Sequence, residues 1–244
     1  KSVAAIICAA GPGTRFGGKR KKQFMDVGGR AVFVRSIELF SGRDDIKQIL
    51  LGIPREDEEI VKVKWGANLQ FFGVKLFFGG SERFDTITEA LKLIRDGIDL
   101  VAVHDACRCC ATDELIGNVI ARAAETGAAI PAAPVTATLK QVKDGAIVRT
   151  VDRAGLFEAQ TPQVFETALL RKAYANIANV DKAAVTDDAF LVEALGHEVA
   201  IVESDSSNIK ITRPNDIAIA EAIIKSRPKP KPEGPIGPYV EAQW

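Results

Sequence analysis

The sequence is poor in the groups that run acid–base chemistry at neutral pH. It has two histidines, and no motif pairs either with a nucleophilic serine or cysteine, which argues against triad-type catalysis. It has no net charge, since 32 Lys and Arg balance 32 Asp and Glu, so a generally basic face for duplex nucleic acid is not expected. No apolar run approaches the roughly 20 residues that span a bilayer, so no membrane partner is expected. Of the four cysteines, Cys107, Cys109 and Cys110 crowd into one stretch, a poor disulfide framework that suits a reducing compartment. His104 beside them suggests a metal-binding module, but adjacent Cys109 and Cys110 lack the usual two-residue ligand spacing and no second pair exists. Small buried or loop thiols are the expectation there, as for Cys8 in its apolar run. What remains is ordinary for a folded protein: 244 residues, 47% hydrophobic and 26% charged, within reach of one α/β domain. The chain begins at Lys1 with no signal-peptide pattern. The expected compartment is the cytoplasm of a bacterium, or a plastid if a targeting segment precedes Lys1.

Strand-like and helix-like segments alternate. Val3–Cys8, Ile46–Ile53, Val74–Phe78, Ile98–Val103 and Ala128–Ala133 read as buried strands. Ala31–Phe40, a charged segment opened by Pro54, Arg83–Arg95, and a segment capped by Thr112 and running to about Glu125 read as helices. The pattern predicts a mostly parallel twisted sheet with helices on both faces, and function in loops at the C-terminal ends of its strands. It breaks at Thr138–Val151, where Asp144-Gly145 marks a β-hairpin inserted as an arm. Such an arm is marginal alone and needs a surface to pack on, such as another subunit. Helices are expected over Glu166–Ala178 and Asp187–Leu195, strands over Glu198–Val202 and Asn208–Ile211, and a last helix from near Pro214. One domain thus spans residues 1–226, with the arm at 138–151. Five of the eleven prolines then fall in a tail, 227–244, expected to be extended.

The loop after the first strand, residues 9–23, combines small residues with a basic run. Its glycines permit an anion-binding nest, and five of the eight residues from Arg15 to Lys22 are basic, which suits a nucleoside triphosphate. The dinucleotide fingerprint fails at its third glycine, since Gly11-x-Gly13-x-x-Phe16 offers Phe16. The phosphate-binding P-loop pattern Gly13-x-x-x-x-Gly18-Lys19 fails at its last position, where Arg20 replaces the Ser or Thr that would ligate Mg²⁺.

Ala9-Ala10-Gly11-x-Gly13-x-Arg15 with Lys22-Gln23 resembles a nucleotidyltransferase signature loop. Gly79-Gly80-x-Glu82-Arg83-x-Asp85-Thr86 and His104-Asp105-Ala106-x-Arg108 resemble its companions. With Thr150-Val151-Asp152-Arg153, Ala159-Gln160-Thr161-Pro162-Gln163, Thr186-Asp187 and Asn208-Ile209-Lys210-Ile211-Thr212-x-Pro214, the ordered set is similar to the 2-C-methyl-D-erythritol 4-phosphate cytidylyltransferases of the non-mevalonate isoprenoid pathway, over about residues 3–225. The Thr-Val-Asp-Arg segment favours this family over the related ribitol-phosphate enzymes. Two positions depart from its pattern: Lys21 and Cys109 stand where prolines are usual, which leaves the local loop shape open.

The resemblance implies a Rossmann-like nucleotidyltransferase fold and a reaction between CTP and a polyol phosphate. The attacking phosphate is already ionised, so catalysis is positioning plus charge neutralisation. It implies that Arg15 and Lys22 serve the triphosphate and transition state, with Lys210 on the α-phosphate side. Ala9, Ala10, Gly11, Gly13, Gly80, Ser81, Arg83 and Thr86 would form the nucleotide site. Asp105 would lie near Mg²⁺, the expected cofactor, and near ribose or substrate hydroxyls. Arg108, Thr138, Arg153, Thr161, Thr186 and Lys210 would attend the second substrate. Thr138 and Arg153 would do so across a homodimer formed through the arm. His104, on the opposite face from Asp105, reads as structural.

Overall fold

A computed structural model describes residues 1–11, 16 and 21–228. In chain order, β1 (Val3–Cys8) leads to a small hairpin, β2 (Asp26–Val27) and β3 (Arg30–Ala31). Then come α1 (Val32–Ser41), β4 (Ile46–Ile53), α2 (Glu58–Phe71), β5 (Val74–Phe78), α3 (Arg83–Leu91), β6 (Leu100–Asp105), α4 (Asp113–Thr126) and β7 (Ala128–Pro134). The arm is β8 (Leu139–Lys143) and β9 (Ala146–Val151), followed by β10 (Phe157–Ala159), β11 (Gln163–Glu166), α5 (Thr167–Ala175), α6 (Asp188–Glu193), β12 (Ala200–Glu203) and α7 (Asn215–Ser226). Among the described residues, no helix is long and apolar enough to cross a membrane.

The main sheet runs β5-β4-β1-β6-β11-β7, with β10 continuing along the β11 edge of β7 and β12 pairing with its other edge. β5, β4, β1 and β6 are mutually parallel, as the alternation predicts. Because a strand's side chains alternate between faces, β1 feeds two cores. Val3, Ala5 and Ile7 pack with α1, α2 and α4, through residues such as Phe33, Ile37, Val61 and Ile116. Ala4 and Ile6 pack with α3, α5 and α6, through Ile87, Leu170 and Leu191. A third cluster joins α7 to the β2–β3 hairpin and contains Cys107, Cys109 and Cys110 among Val27, Val32, Ile211 and Ala220. These thiols are buried packing groups, and burial pushes the Cys107 thiol up to about 11.

Several sequence expectations are corrected. The sixth strand is displaced from Ile98–Val103 to Leu100–Asp105, which makes Asp105 its last residue. The charged helix after Pro54 begins with a 3-10 turn at Arg55–Asp57, and the helix from Arg83 stops at Leu91 rather than Arg95. Where a helix was expected from Glu166, β11 occupies Gln163–Glu166, antiparallel between β6 and β7, and the helix follows from Thr167. Residues 208–211 form no strand. Ile209 and Ile211 pack into the third cluster at a strand-like spacing, but the segment pairs with no strand, and a backbone bond from Ile211 to the Cys107 carbonyl (2.8 Å) ties it down. The arm folds as expected, with Asp144 and Gly145 both at positive φ, 51° and 79°. The tail lies outside the described residues beyond 228.

Thr112 caps α4 through its side-chain oxygen, which accepts from Leu115 N at 3.1 Å. Thr112→Ala should lower the unfolding free energy by about 1 kcal/mol, measured by urea denaturation. An unchanged midpoint would show that the cap contributes nothing to this helix.

Candidate active site

Ligands bind open α/β sheets beyond the C-terminal ends of strands, where the strand order reverses. β1 is at that point, with Cys8 in register with Gly52 of β4 on one side and Asp105 of β6 on the other. Above them opens a cleft of about 310 Å³. Ala9, Ala10 and Gly11 line it, as do residues 80–83, Thr86, Asp105, Lys22 and Lys210.

The exit of the first loop is pinned from two sides. Gln23, almost fully buried, donates through Nε2 to the Ala9 carbonyl at 3.0 Å. Lys21 Nζ lies 2.9 Å from Glu56 and 2.7 Å from Asp57. Burial works against the Lys21 charge, but these two carboxylates outweigh it and hold its pKa above the ordinary value. With Lys21 fixed outside the cleft, its neighbour Lys22 starts a 3-10 turn and lines the cleft. The two carboxylates thus fix Lys21, one of the two positions where the resemblance led a proline to be expected.

The opposite wall is shaped by glycine. A Cβ at Gly79 would stand 2.4 Å from the Ala10 Cβ and 2.6 Å from Thr86 Oγ1, and one at Gly80 would stand 2.3 Å from the Asp85 Cβ. Bare backbone is required for the walls to approach this closely. The turn is locked by a capping box in which Glu82 and Asp85 each accept from the other's backbone N–H, and Ser81 Oγ donates to Asp85 at 3.1 Å.

Asp105 is nearly buried and meets cations from three separate segments. Lys210 Nζ is 2.6 Å from Oδ2, Arg83 Nε is 3.5 Å from Oδ1, and Arg108 Nε is 4.0 Å from Oδ2. Burial disfavours its charge, but Arg83, Lys210 and Arg108 overcome that and hold the carboxyl far below the ordinary carboxylate range. Beneath it His104 is completely buried, and burial pulls its pKa down to about 4. Its Nε2 lies 3.2 Å from the Arg108 carbonyl, which only accepts, so the proton is on Nε2. Nδ1 then accepts from Thr161 Oγ1 at 3.0 Å, and the same hydroxyl accepts from the Asp105 backbone N–H at 3.1 Å. His104 is thus structural, as its alternation along β6 implies.

The sequence-predicted residues that the structure describes fall into three groups. Ala9, Ala10, Gly11, Lys22, Gly80, Ser81, Arg83, Thr86, Asp105 and Lys210 meet in the cleft. Arg108 and Thr161 sit behind it. The Arg108 guanidinium donates to the Asn208 (2.7 Å) and Ala159 (3.2 Å) carbonyls, and Thr161 is committed to His104 and Asp105. Thr138, Arg153 and Thr186 are exposed and line no part of this cleft; Arg153 donates to the Thr136 carbonyl. Gly13 and Arg15 lie outside the described residues. Sequence reasoning passed over Asp188 and Tyr174, which support Arg83 from behind, and the bridging role of Gln163. A carboxylate three and four residues before the buried Leu191 and Val192 was the available signal for Asp188.

A family model described as IspD, 2-C-methyl-D-erythritol 4-phosphate cytidylyltransferase, matches residues 3–226. A curated protein of that name from Endomicrobium trichonymphae is 41% identical over 224 residues, covering 91% of this chain and 99% of its own length. Another from Rhodopirellula baltica is 39% identical, covering 91% and 95%. Among solved structures, the 2-C-methyl-D-erythritol 4-phosphate cytidylyltransferase from Thermus thermophilus superposes with a TM-score of 0.76 at 33% identity, covering 92% of this chain and all of that one. The 4-diphosphocytidyl-2C-methyl-D-erythritol synthase from Anaerococcus prevotii gives 0.78 at 31%, covering 92% and 96%.

A histidine kept neutral by burial is protonated in the unfolded chain at a higher pH than in the folded one. Stability linked to His104 is therefore intact above about 6.5 and is lost as pH falls toward about 4. The loss should reach about 2.5 kcal/mol by pH 4.5, where aspartates of the unfolded chain are still mostly ionised. Urea unfolding at pH 7 and 4.5 should show a clearly shallower decline in His104→Gln than in the parent. Equal declines would mean that the imidazole is not held neutral.

Proposed function

The chain belongs to the 2-C-methyl-D-erythritol 4-phosphate cytidylyltransferase family, and from that membership we propose that it transfers the cytidylyl group of CTP to 2-C-methyl-D-erythritol 4-phosphate, giving 4-diphosphocytidyl-2-C-methyl-D-erythritol and pyrophosphate. The observation that carries this reading is a cleft rich in cations in which, among the described residues, no side chain is placed as a general base. Glu82 is committed to its capping box, Asp105 to its cations, and His104 is sealed beneath. A reaction suited to such a site uses a nucleophile that is already ionised. The methylerythritol phosphate oxygen attacks the α-phosphorus, the bond to the β-phosphate bridging oxygen breaks, and pyrophosphate leaves without proton abstraction.

In this reading Lys22 and Arg15 neutralise charge on the triphosphate, and Lys210 meets the α-phosphate side while anchored by Asp105. The glycine-lined walls at Ala9, Ala10, Gly11, Gly80 and Ser81, with Gly13 and Thr86, hold the nucleotide by backbone and small side chains. A magnesium ion fits the donor set as one carried in on the nucleotide, because Mg²⁺ is commonly bound through one or two carboxylates plus substrate phosphates, and Asp105 supplies one. Bound there, it would lower the charge of the triphosphate. Val142, Ile147 and Val148 of the arm are each more than half exposed, and a two-stranded ribbon is marginal alone. A second copy covering the arm would make a homodimer and bring Thr138 and Arg153 toward the partner's cleft. Thr186 completes the methylerythritol side, with Arg108 and Thr161 holding its wall.

The direct test is pyrophosphate release from CTP with methylerythritol phosphate against ribitol 5-phosphate. The former should be strongly preferred, and equal rates would move the assignment to a broader polyol-phosphate enzyme. Lys22→Ala and Arg15→Ala should each lower turnover at least about a hundredfold in folded protein. Lys19→Ala should do far less; were it the most severe, the phosphate-binding P-loop reading would return.

The arm has its own test. Arg153→Ala and Lys210→Ala should each be inactive alone but should damage different halves of a composite site. Co-refolding the two mutants makes about half the dimers mixed, each with one intact site, so activity should recover to roughly a quarter of the parent per site. No recovery, with mixed dimers verified by mass, would remove Arg153 from the partner's site.

A further inference from the structure

A carboxylate with no exposed surface stands directly behind the cleft. Asp188 is the first residue of α6, on the face where Leu191 and Val192 enter the core. Its Oδ2 lies 2.6 Å from Arg83 Nη2, and its Oδ1 accepts from the buried Tyr174 hydroxyl. The other edge of that guanidinium faces the cleft, with Nε 3.5 Å from Asp105 Oδ1. Arg83 is therefore held between two carboxylates, one sealed in the core and one on the cleft wall. The site of Asp188 is itself fixed, because Gln163 Oε1 accepts from the backbone N–H groups of Asp188 and Ala189, both at 3.1 Å.

Stability does not account for this arrangement. A buried ion pair is commonly no better for stability than apolar residues of similar volume. Neither Arg83 Nη2 nor Asp188 Oδ2 has an aligned hydrogen-bond partner, so charge holds the contact. What the pair does provide is a defined place for a long side chain that would otherwise be free to swing within the cleft. We propose that Asp188, steadied by Tyr174, is a positioning residue for cytidylyl transfer: it fixes the Arg83 guanidinium, which in turn fixes the Asp105 carboxylate at the nucleotide. This rests on the cleft being the CTP site.

The test is a coupling measurement on Asp188→Asn, Tyr174→Phe, Arg83→Gln and the Arg83→Gln/Asp188→Asn double variant, with CTP varied and folding checked by circular dichroism. Asp188→Asn should raise the KM for CTP and lower kcat/KM at least about tenfold, and Tyr174→Phe, which keeps both charges, about threefold. The double variant should be no worse than Arg83→Gln alone, since Asp188 acts through Arg83. A merely structural role would make the two losses multiply, and that result overturns the proposal. So does activity within twofold of the parent in both Asp188→Asn and Tyr174→Phe. Should Asp188→Asn fail to fold, Tyr174→Phe and the charge-free double variant still decide, the latter against Arg83→Gln. If the parent transfers no cytidylyl group, the assigned reaction fails. The Asp188 proposal is then decided by CTP protection against thermal unfolding, where the same coupling must appear.

Discussion

The charge on Asp105 is the constraint around which the cleft is assembled. An isolated carboxylate this buried would be protonated or would destabilise the fold, so it must be met by cations. Three meet it, and they come from the start of α3, the turn after β6 and the segment before α7. Arg108 is there by chain continuity, three residues after Asp105, but Arg83 and Lys210 are distant in sequence, and satisfying one carboxylate ties their segments to the end of β6. Cation placement and sheet geometry are then one problem, because Asp105 is aligned with Cys8 by the parallel register of β1 and β6.

The same strand end is braced from below by an irregularity in the sheet. β10 and β11 follow one edge of β7, but their registers differ by two residues, and Gln160, Thr161 and Pro162 fall in the gap. Gln160 N bonds the Pro131 carbonyl, Thr161 bonds Asp105 and His104, and Asn208 donates to Gln160 and to the Thr161 carbonyl. A displaced register at a strand end is a way to aim side chains that regular pairing would leave pointing into the core. Here it carries support from the antiparallel half of the sheet to the parallel half, where the cleft lies.

How much of this was legible in the sequence depended on how local the signal was. The parallel strands, the hairpin turn at Asp144-Gly145 and the Thr112 cap are specified by neighbours within a few residues, and they were readable. β11 was not, because Val164 and Phe165 are too few to show a period, and their pairing is decided by the open edges of β6 and β7. Residues 208–211 misled for the opposite reason: the alternation of Ile209 and Ile211 is real, but it reports burial against α7 and its neighbours rather than a ladder. In the candidate site, the motif residues around β1, α3 and β6 converge in the cleft. The bracing by Asp188 and Gln163 rests on contacts across the fold, from α3 to α6 and from β11 to α6, which no short motif encodes.

The basic run shows why composition could not rank its own members. Lys21 and Lys22 are adjacent and chemically alike, yet Glu56 and Asp57, brought in by the turn after β4, bind Lys21 alone. The cleft's other described cations are also engaged: Arg83 lies between Asp105 and Asp188, and Lys210 sits on Asp105. Among the described residues, no carboxylate lies within ion-pair distance of Lys22. Among the described residues, the cleft thus offers one ammonium without a carboxylate partner, Lys22, and two cations, Arg83 and Lys210, that are shared with Asp105 or Asp188. In the proposed reaction that difference would separate attraction from orientation: Lys22 would contribute its full charge to the phosphates, whereas Arg83 and Lys210, held by carboxylates, would define where the nucleotide stops.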